Sequence, residues 1–130
     1  MNVFEVLTPK MSTFHLDTKT TIRQALEKFD VHKFSVVPII DDDGNYVTTI
    51  SEGDILRYIK NSCDFNLEKA QNTLVMDIER YRTYKALSQT GTKEEMSELI
   101  LSQNFIPVVD DRNKYIGIIK RKDVLRRLLK

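Results

Sequence analysis

Apolar positions along this chain fall into short blocks whose period changes from one block to the next, and the same order of blocks occurs twice. Ile22, Ala25, Leu26 and Phe29 recur at the spacing of one helix face, and Met96, Leu99 and Ile100 do so later. Each helical block is followed by a short run rich in β-branched residues, Val36 to Ile40 and Phe105 to Val109. Polar clusters then read as turns, Asp41-Asp42-Asp43-Gly44-Asn45 and Asp110-Asp111-Arg112-Asn113-Lys114, leading into second strands at Tyr46 to Ile50 and Tyr115 to Ile119. The pattern predicts two hairpins. A second helix is predicted from Ser51, burying Ile55, Leu56 and Ile59, and from Lys120, burying Val124, Leu125, Leu128 and Leu129. Ser51 is expected to cap its helix.

The two halves are diverged copies. Phe34 to Asp42 runs beside Gln103 to Asp111, and Tyr46 to Arg57 runs beside Tyr115 to Arg126, so that Pro38 matches Pro107 and Asp54 matches Asp123. Upstream the register slips by one residue, Leu26 and Phe29 matching Met96 and Leu99, which sets Glu95 against Ala25 and leaves Thr90 as the counterpart of Thr20. The expected division is a first unit over 1–62, a linker over 63–73 next to a short helix in Leu67 to Asn72, and a second unit over 74–130.

Composition narrows the function classes. Lys and Arg number 20 against 19 Asp and Glu in 130 residues, so no global charge draws the chain to nucleic acid or an anionic membrane. The basic stretch Lys120 to Lys130 reads as the solvated face of an amphipathic helix, without the interleaved aromatics that base stacking needs. One cysteine, Cys63, excludes an internal disulfide, and with only His15 and His32 besides, a four-ligand zinc site is not available. No apolar run approaches the roughly 20 residues of a membrane helix, so the expected setting is the reducing cytoplasm.

Enzymatic motifs are absent: there is no nucleophile elbow, phosphate-binding P-loop or zinc-protease helix, and the expectation is a protein without catalysis. Asp41-Asp42-Asp43-Gly44 lacks the alternate spacing of a calcium loop, and Cys63 has no neighbouring cation to activate its thiol. Ser51-Glu52-Gly53-Asp54 is different, because it stands where a strand passes into a helix. Free N–H groups and the positive end of the helix dipole favour an anion there, the serine hydroxyl can meet a phosphate, and the aspartate can accept from both hydroxyls of a ribose. A helix cap alone also accounts for the two residues.

Repeated twice, this arrangement closely resembles the cystathionine β-synthase (CBS) domain family. The resemblance rests on Phe34 to Asp41 with Thr49 to Asp54, and on Phe105 to Asp110 with Gly117 to Asp123. It implies an α/β (α+β) fold of two tandem β-α-β-β-α units packed as a Bateman module, which binds adenosine-containing ligands in the clefts between the repeats. By the same resemblance Asp54 and Asp123 would hold ribose and Ser51 would lie near phosphate. Thr20, Ala25, Phe34, Ser35, Val37 and Pro38 would line the first pocket, and Thr90, Asn104, Ile106 and Pro107 the second. His32-Lys33 resembles a His-Arg pair that faces phosphates in some members.

The second copy departs from the pattern, with Lys120 in place of Ser51 and Asn104 in place of Ser35. Lys120-Arg121-Lys122 opposes the helix dipole unless an anion is near, which suits a ligand carrying more phosphate than AMP, such as ATP or cyclic di-AMP. The resemblance therefore implies a non-catalytic adenine-nucleotide sensor, homodimeric, with no required cofactor and acting through a protein effector. Its alternatives are a cyclic di-AMP receptor and a dimerisation scaffold with degenerate pockets.

Overall fold

Pairing between strands, more than chain order, decides which residues fold together here. The computed structural model describes residues 1–32 and 35–129. Its elements in chain order are α1 (Val3–Val6), β1 (Leu7–Pro9), β2 (Leu16–Asp17), α2 (Ile22–His32), β3 (Val36–Ile40), β4 (Tyr46–Ser51), α3 (Glu52–Ser62), α4 (Leu67–Ala70), β5 (Leu87–Ser88), α5 (Lys93–Ser102), β6 (Phe105–Val109), β7 (Tyr115–Lys120) and α6 (Arg121–Leu128). The order β-α-β-β-α thus occurs twice, from β2 to α3 and from β5 to α6. Two units result.

The unit of the first repeat comprises His15–Asp42 and Val47–Thr83. Its sheet has the order β2-β3-β4, with β2 parallel to β3 and Leu16 opposite Ile39. Ile22, Ala25 and Phe29 put one face of α2 into a core with Leu16, Val37, Ile39, Ile50 and Ile55. Thr21 Oγ1 accepts from Gln24 N at 3.2 Å, and Gln24 Oε1 accepts from Thr21 N at 3.0 Å, closing a capping box at the helix start. Two more of the unsatisfied N–H groups there, on Ile22 and Arg23, donate to the carbonyls of Thr73 and Gln71. The polar stretch after α3 is therefore packed into this unit, with Cys63, Ala70 and Val75 buried.

The unit of the second repeat comprises Met1–Phe14, Asp43–Tyr46 and Tyr84–Lys130. Its sheet runs β1-β7-β6-β5, and the β6–β7 hairpin is antiparallel as the polar turn between the two runs predicts. The N-terminal residues are part of it because β1 pairs antiparallel with β7, and Val3 and Val6 of α1 join Leu87, Met96, Ile100, Ile106, Val108, Ile119 and Val124 in one core. Pro9 lies opposite Gly117, and a Cβ on Gly117, whose φ is +151°, would run into the carbonyl oxygen of Thr8. Glycine is needed for the two backbones to approach this closely.

The second helices bury less than the apolar pattern predicts. Ile55 and Val124 are buried, whereas Leu56 is 61% exposed and Leu125, Leu128 and Leu129 are 46%, 50% and 85% exposed. Each helix rests on its own unit along one narrow stripe, and the flanking leucines point away from it.

Gly117→Ala is expected to destabilise the fold by on the order of 1–3 kcal/mol, through displacement of β1, read as a lower urea midpoint at unchanged slope. A second expectation concerns pH. Burial pushes the Tyr115 phenol up to about 12 from 10.0, although its hydroxyl donates to Thr13 Oγ1 at 2.9 Å. The folded protein thus holds this proton more tightly than the unfolded chain. Its contribution is fully present below pH 10 and lost as pH rises toward 12, a loss that Tyr115→Phe should reduce in alkaline titrations followed by circular dichroism.

Candidate functional site

In both repeats the last residue of a strand becomes the first cap of a helix, and one backbone hydrogen bond holds the junction. Glu52 N donates to Ser35 O at 2.9 Å, and Arg121 N donates to Asn104 O at 3.1 Å. The residue ahead of the inner strand is thereby tied to the start of the second helix, so Ser35 meets the Ser51–Asp54 turn and Asn104 the Lys120–Asp123 turn.

At the first junction Ser51 is the N-cap in extended conformation. Its Oγ accepts from Asp54 N at 3.1 Å, and Asp54 Oδ2 accepts from Ser51 N at 2.9 Å, a reciprocal capping box. Asp54 Oδ1 accepts twice more, from Arg57 Nη2 at 2.9 Å and from Tyr81 N at 2.8 Å, and the residue is 4% exposed. The Arg57 guanidinium also lies over the Tyr81 ring, 4.4 Å from its centroid. A cavity of about 340 Å3 opens between this face of α3 and the segment Glu79-Arg80-Tyr81. Arg80 Nη1 is buried with no hydrogen-bond partner among the described residues.

The second junction is built more loosely. Lys120 occupies the cap position with no side-chain hydrogen bond to the helix. Among the described residues the Asp123 carboxylate meets Arg126 alone, at 4.0 Å, and its side chain is 28% exposed. A cavity of about 280 Å3 includes Glu5, Thr8, Asp123, Arg126 and Arg127 in its wall. Glu5 Oε2 accepts from Arg127 Nη2 at 2.9 Å and from Asn2 N at 3.2 Å. Hydrogen bonding with the Asn2 backbone, and then the Arg127 pair, hold its carboxyl below the usual glutamate value.

The remaining residues named from the sequence are distributed around these junctions. Val37, Pro38, Ile106 and Pro107 are buried in the inner strands. Thr20 and Ala25 are buried at the first turn of α2, where Thr20 Oγ1 accepts from Asp17 N at 3.1 Å. His32 is exposed at the end of α2, and Lys33 and Phe34 lie outside the described residues. Thr90 is exposed and bonded to Ser88, and the exposed Asn104 accepts from the Tyr84 hydroxyl through Oδ1 at 2.9 Å. Arg121, one of three cations at the start of α6, is engaged with its own fold, because its Nε donates to Ile100 O at 3.0 Å.

The register between the copies needs correction. Thr92 and Glu95 form the capping box of α5 as Thr21 and Gln24 form that of α2, so Ala25 matches the buried Met96 and Glu95 is a cap, one position from the sequence alignment. The counterpart of Thr20 is then Gly91 and not Thr90. A Cβ at Gly91 would lie 2.5 Å from Leu87 Cδ1 and 2.9 Å from Ser88 O, which bars threonine there. Sequence reading also missed Arg57, Arg80, Tyr81, Glu5 and Arg127. For Arg57 alone among these a signal was available, the Asp-x-x-Arg spacing shared by Asp54–Arg57 and Asp123–Arg126, since residues three apart meet on a helix face.

Among the described residues no group of His, Cys, Asp and Glu is arranged to hold a metal ion, and no helix is long and apolar enough to cross a membrane. The sequence profile of the CBS domain matches residues 3–61 and 86–130. The chain belongs to the CBS domain family. It is 28% identical over 121 residues to an uncharacterised protein of Methanocaldococcus jannaschii, covering 85% of this chain but only 43% of that protein's length. The crystal structure of the Arabidopsis thaliana CBS-pair protein CBSX2 in complex with AMP superposes with a TM-score of 0.78 at 27% identity, over 98% of this chain and 96% of that one. Listeria monocytogenes CbpB in complex with c-di-AMP superposes with a TM-score of 0.86 at 20% identity, over 98% and 94%, which establishes the shared fold.

Within this CBS pair the two helix caps differ in a way that stability can report. Lys120→Ser should supply α6 with the cap that Ser51 gives α3, raising stability by about 1 kcal/mol, measured by denaturant titration.

Proposed function

We propose that this CBS pair is a non-catalytic regulatory module that binds an adenosine-containing ligand of the AMP, ADP or ATP class. The observation that carries the reading is the repetition of one arrangement. In each unit an aspartate three residues into the strand-to-helix turn borders a cavity whose wall also carries arginines, Arg80 in the first-repeat unit and Arg126 and Arg127 in the second. A carboxylate suits two vicinal hydroxyls, and guanidinium groups suit phosphate. In the first-repeat unit Arg80 keeps a donor without a partner among the described residues, and in the second Lys120 and Arg126 bring further positive charge. The AMP complex of CBSX2, at 27% identity over nearly the whole chain, supports the same class of ligand. Asp54 and Asp123 are the residues assigned to ribose, and Ser51 and Lys120 the residues assigned nearest phosphate.

A ligand signals only as far as it binds one arrangement of the protein better than another. The output passes to a protein effector, and the chain self-associates. The exposed leucines of α3 and α6, Leu56, Leu125 and Leu128, support a homodimer because they form apolar surface that a single chain leaves in water. Cyclic di-AMP is the second reading, favoured by the cationic run Lys120-Arg121-Lys122.

Calorimetric titration with AMP, ATP and cyclic di-AMP tests both. Asp54→Ala and Asp123→Ala should each weaken binding at their own site by at least tenfold, the order expected from losing charge-assisted hydrogen bonds. Tight binding of cyclic di-AMP with none of the mononucleotides selects the second reading. A folded dimer that binds none of the three is a scaffold. Leu125→Asp with Leu128→Asp should yield monomers in light scattering.

A further inference from the structure

A contact within the first-repeat unit bears on how a ligand reaches Asp54. An ionised carboxylate has about four acceptor positions on its two oxygens. At Asp54 three are taken, by Ser51 N, Arg57 Nη2 and Tyr81 N, and the side chain is 5% exposed. A ribose that donates both hydroxyls needs two. At least one internal donor must therefore leave before a ribose can be held in that way, and a donor coupled to it leaves with it.

The Ser51 N–H is the donor least able to leave, because it belongs to the capping box of an eleven-residue helix. The other two are carried by exposed groups. The Arg57 side chain is 47% exposed and Tyr81 is 73% exposed, on a stretch of chain outside helix and strand. They are also coupled, since the guanidinium that bonds Asp54 lies over the Tyr81 ring at 4.4 Å, while the Tyr81 N–H bonds the same carboxylate oxygen.

We propose that Arg57 and Tyr81 form an internal latch on Asp54, and that a ligand takes this aspartate only by displacing both. The proposal rests on the adenosine-binding reading and adds to it the regulation of one of its two sites. Apparent affinity at Asp54 is the intrinsic affinity reduced by the fraction of molecules that are unlatched. Asp123 has no such occupant among the described residues, with Arg126 at 4.0 Å and its side chain 28% exposed, so it fills first and Asp54 fills at higher ligand concentration. Filling Asp54 frees the chain around Tyr81, a change on an exposed surface that an effector can read.

The test isolates the first site in the Asp123→Ala background and adds Arg57→Met, which keeps the aliphatic stem and removes the charge. Calorimetry with AMP should show about tenfold tighter binding, the factor expected when one charge-assisted hydrogen bond no longer competes. Tyr81→Ala, which removes only an exposed ring and so spares the fold, should tighten binding by a smaller factor. By NMR, the Tyr81 amide should exchange slowly with solvent in the free protein and faster at saturating AMP. Equal or weaker binding by Arg57→Met, or a Tyr81 amide equally protected with and without AMP, overturns the latch while leaving the nucleotide reading intact. If the wild-type protein and the variants are folded and none binds AMP, ATP or cyclic di-AMP, the nucleotide reading itself falls and the latch falls with it.

Discussion

The hydrogen bond from the first N–H of each second helix to a carbonyl just ahead of the inner strand, Glu52 to Ser35 and Arg121 to Asn104, governs the geometry of both junctions. It joins two pieces of chain that are separated in sequence: the residue before a strand, and the point where its hairpin partner passes into a helix. A helix start leaves several N–H groups unsatisfied, and a junction that meets one with backbone leaves the cap residues to deal with the others. With serine at the cap the demand is met internally, and the aspartate three residues on is drawn into a reciprocal bond. With lysine it is not met, and the corresponding aspartate keeps more of its acceptor capacity. The two equivalent positions thus carry carboxylates of different availability on the same scaffold.

That difference reverses an inference from motif quality. The first copy has the better match to the family pattern at its helix start, and by residue type alone it is the stronger candidate for binding. The hydrogen-bond inventory is the opposite, because the residues that complete the motif also bond to each other, and Arg57 and Tyr81 occupy two of the acceptor positions left on Asp54. A motif states which groups are present. Whether their lone pairs are free depends on which neighbours reach them, and Tyr81 is 27 residues from Asp54 along the chain. Electrostatics points the same way, since a cationic cap works against the helix dipole and favours the approach of an anion.

Much of the fold was legible because the repeat imposes consistency. The 3.6-residue spacing of Ile22, Ala25 and Phe29 and the β-branched runs at Val36 and Phe105 each correspond to an element of the predicted type. The helix register between copies was harder, since apolar residues one position apart match almost equally well. The caps Thr21–Gln24 and Thr92–Glu95 decide it, because a capping box allows no slip. Periodicity alone assigns the leucines of α3 and α6 to a core, and it reports that a face is apolar without saying what covers it.

By itself the sequence determined the double β-α-β-β-α order, the hairpins and the two helix-start aspartates, all of which come from local periodicity, turn chemistry and spacing. Tertiary structure alone decided that residues 1–14 fold with the second repeat and the stretch up to Thr83 with the first. Those choices depend on pairings that no local pattern encodes: β1 meets β7 where Gly117 lets two backbones approach, and the Thr73 carbonyl meets the start of α2. For the same reason the sequence could name Asp54 but not its partners. A carboxylate's chemistry is local, while its occupancy is set by whatever distant donors the fold brings within about 3 Å.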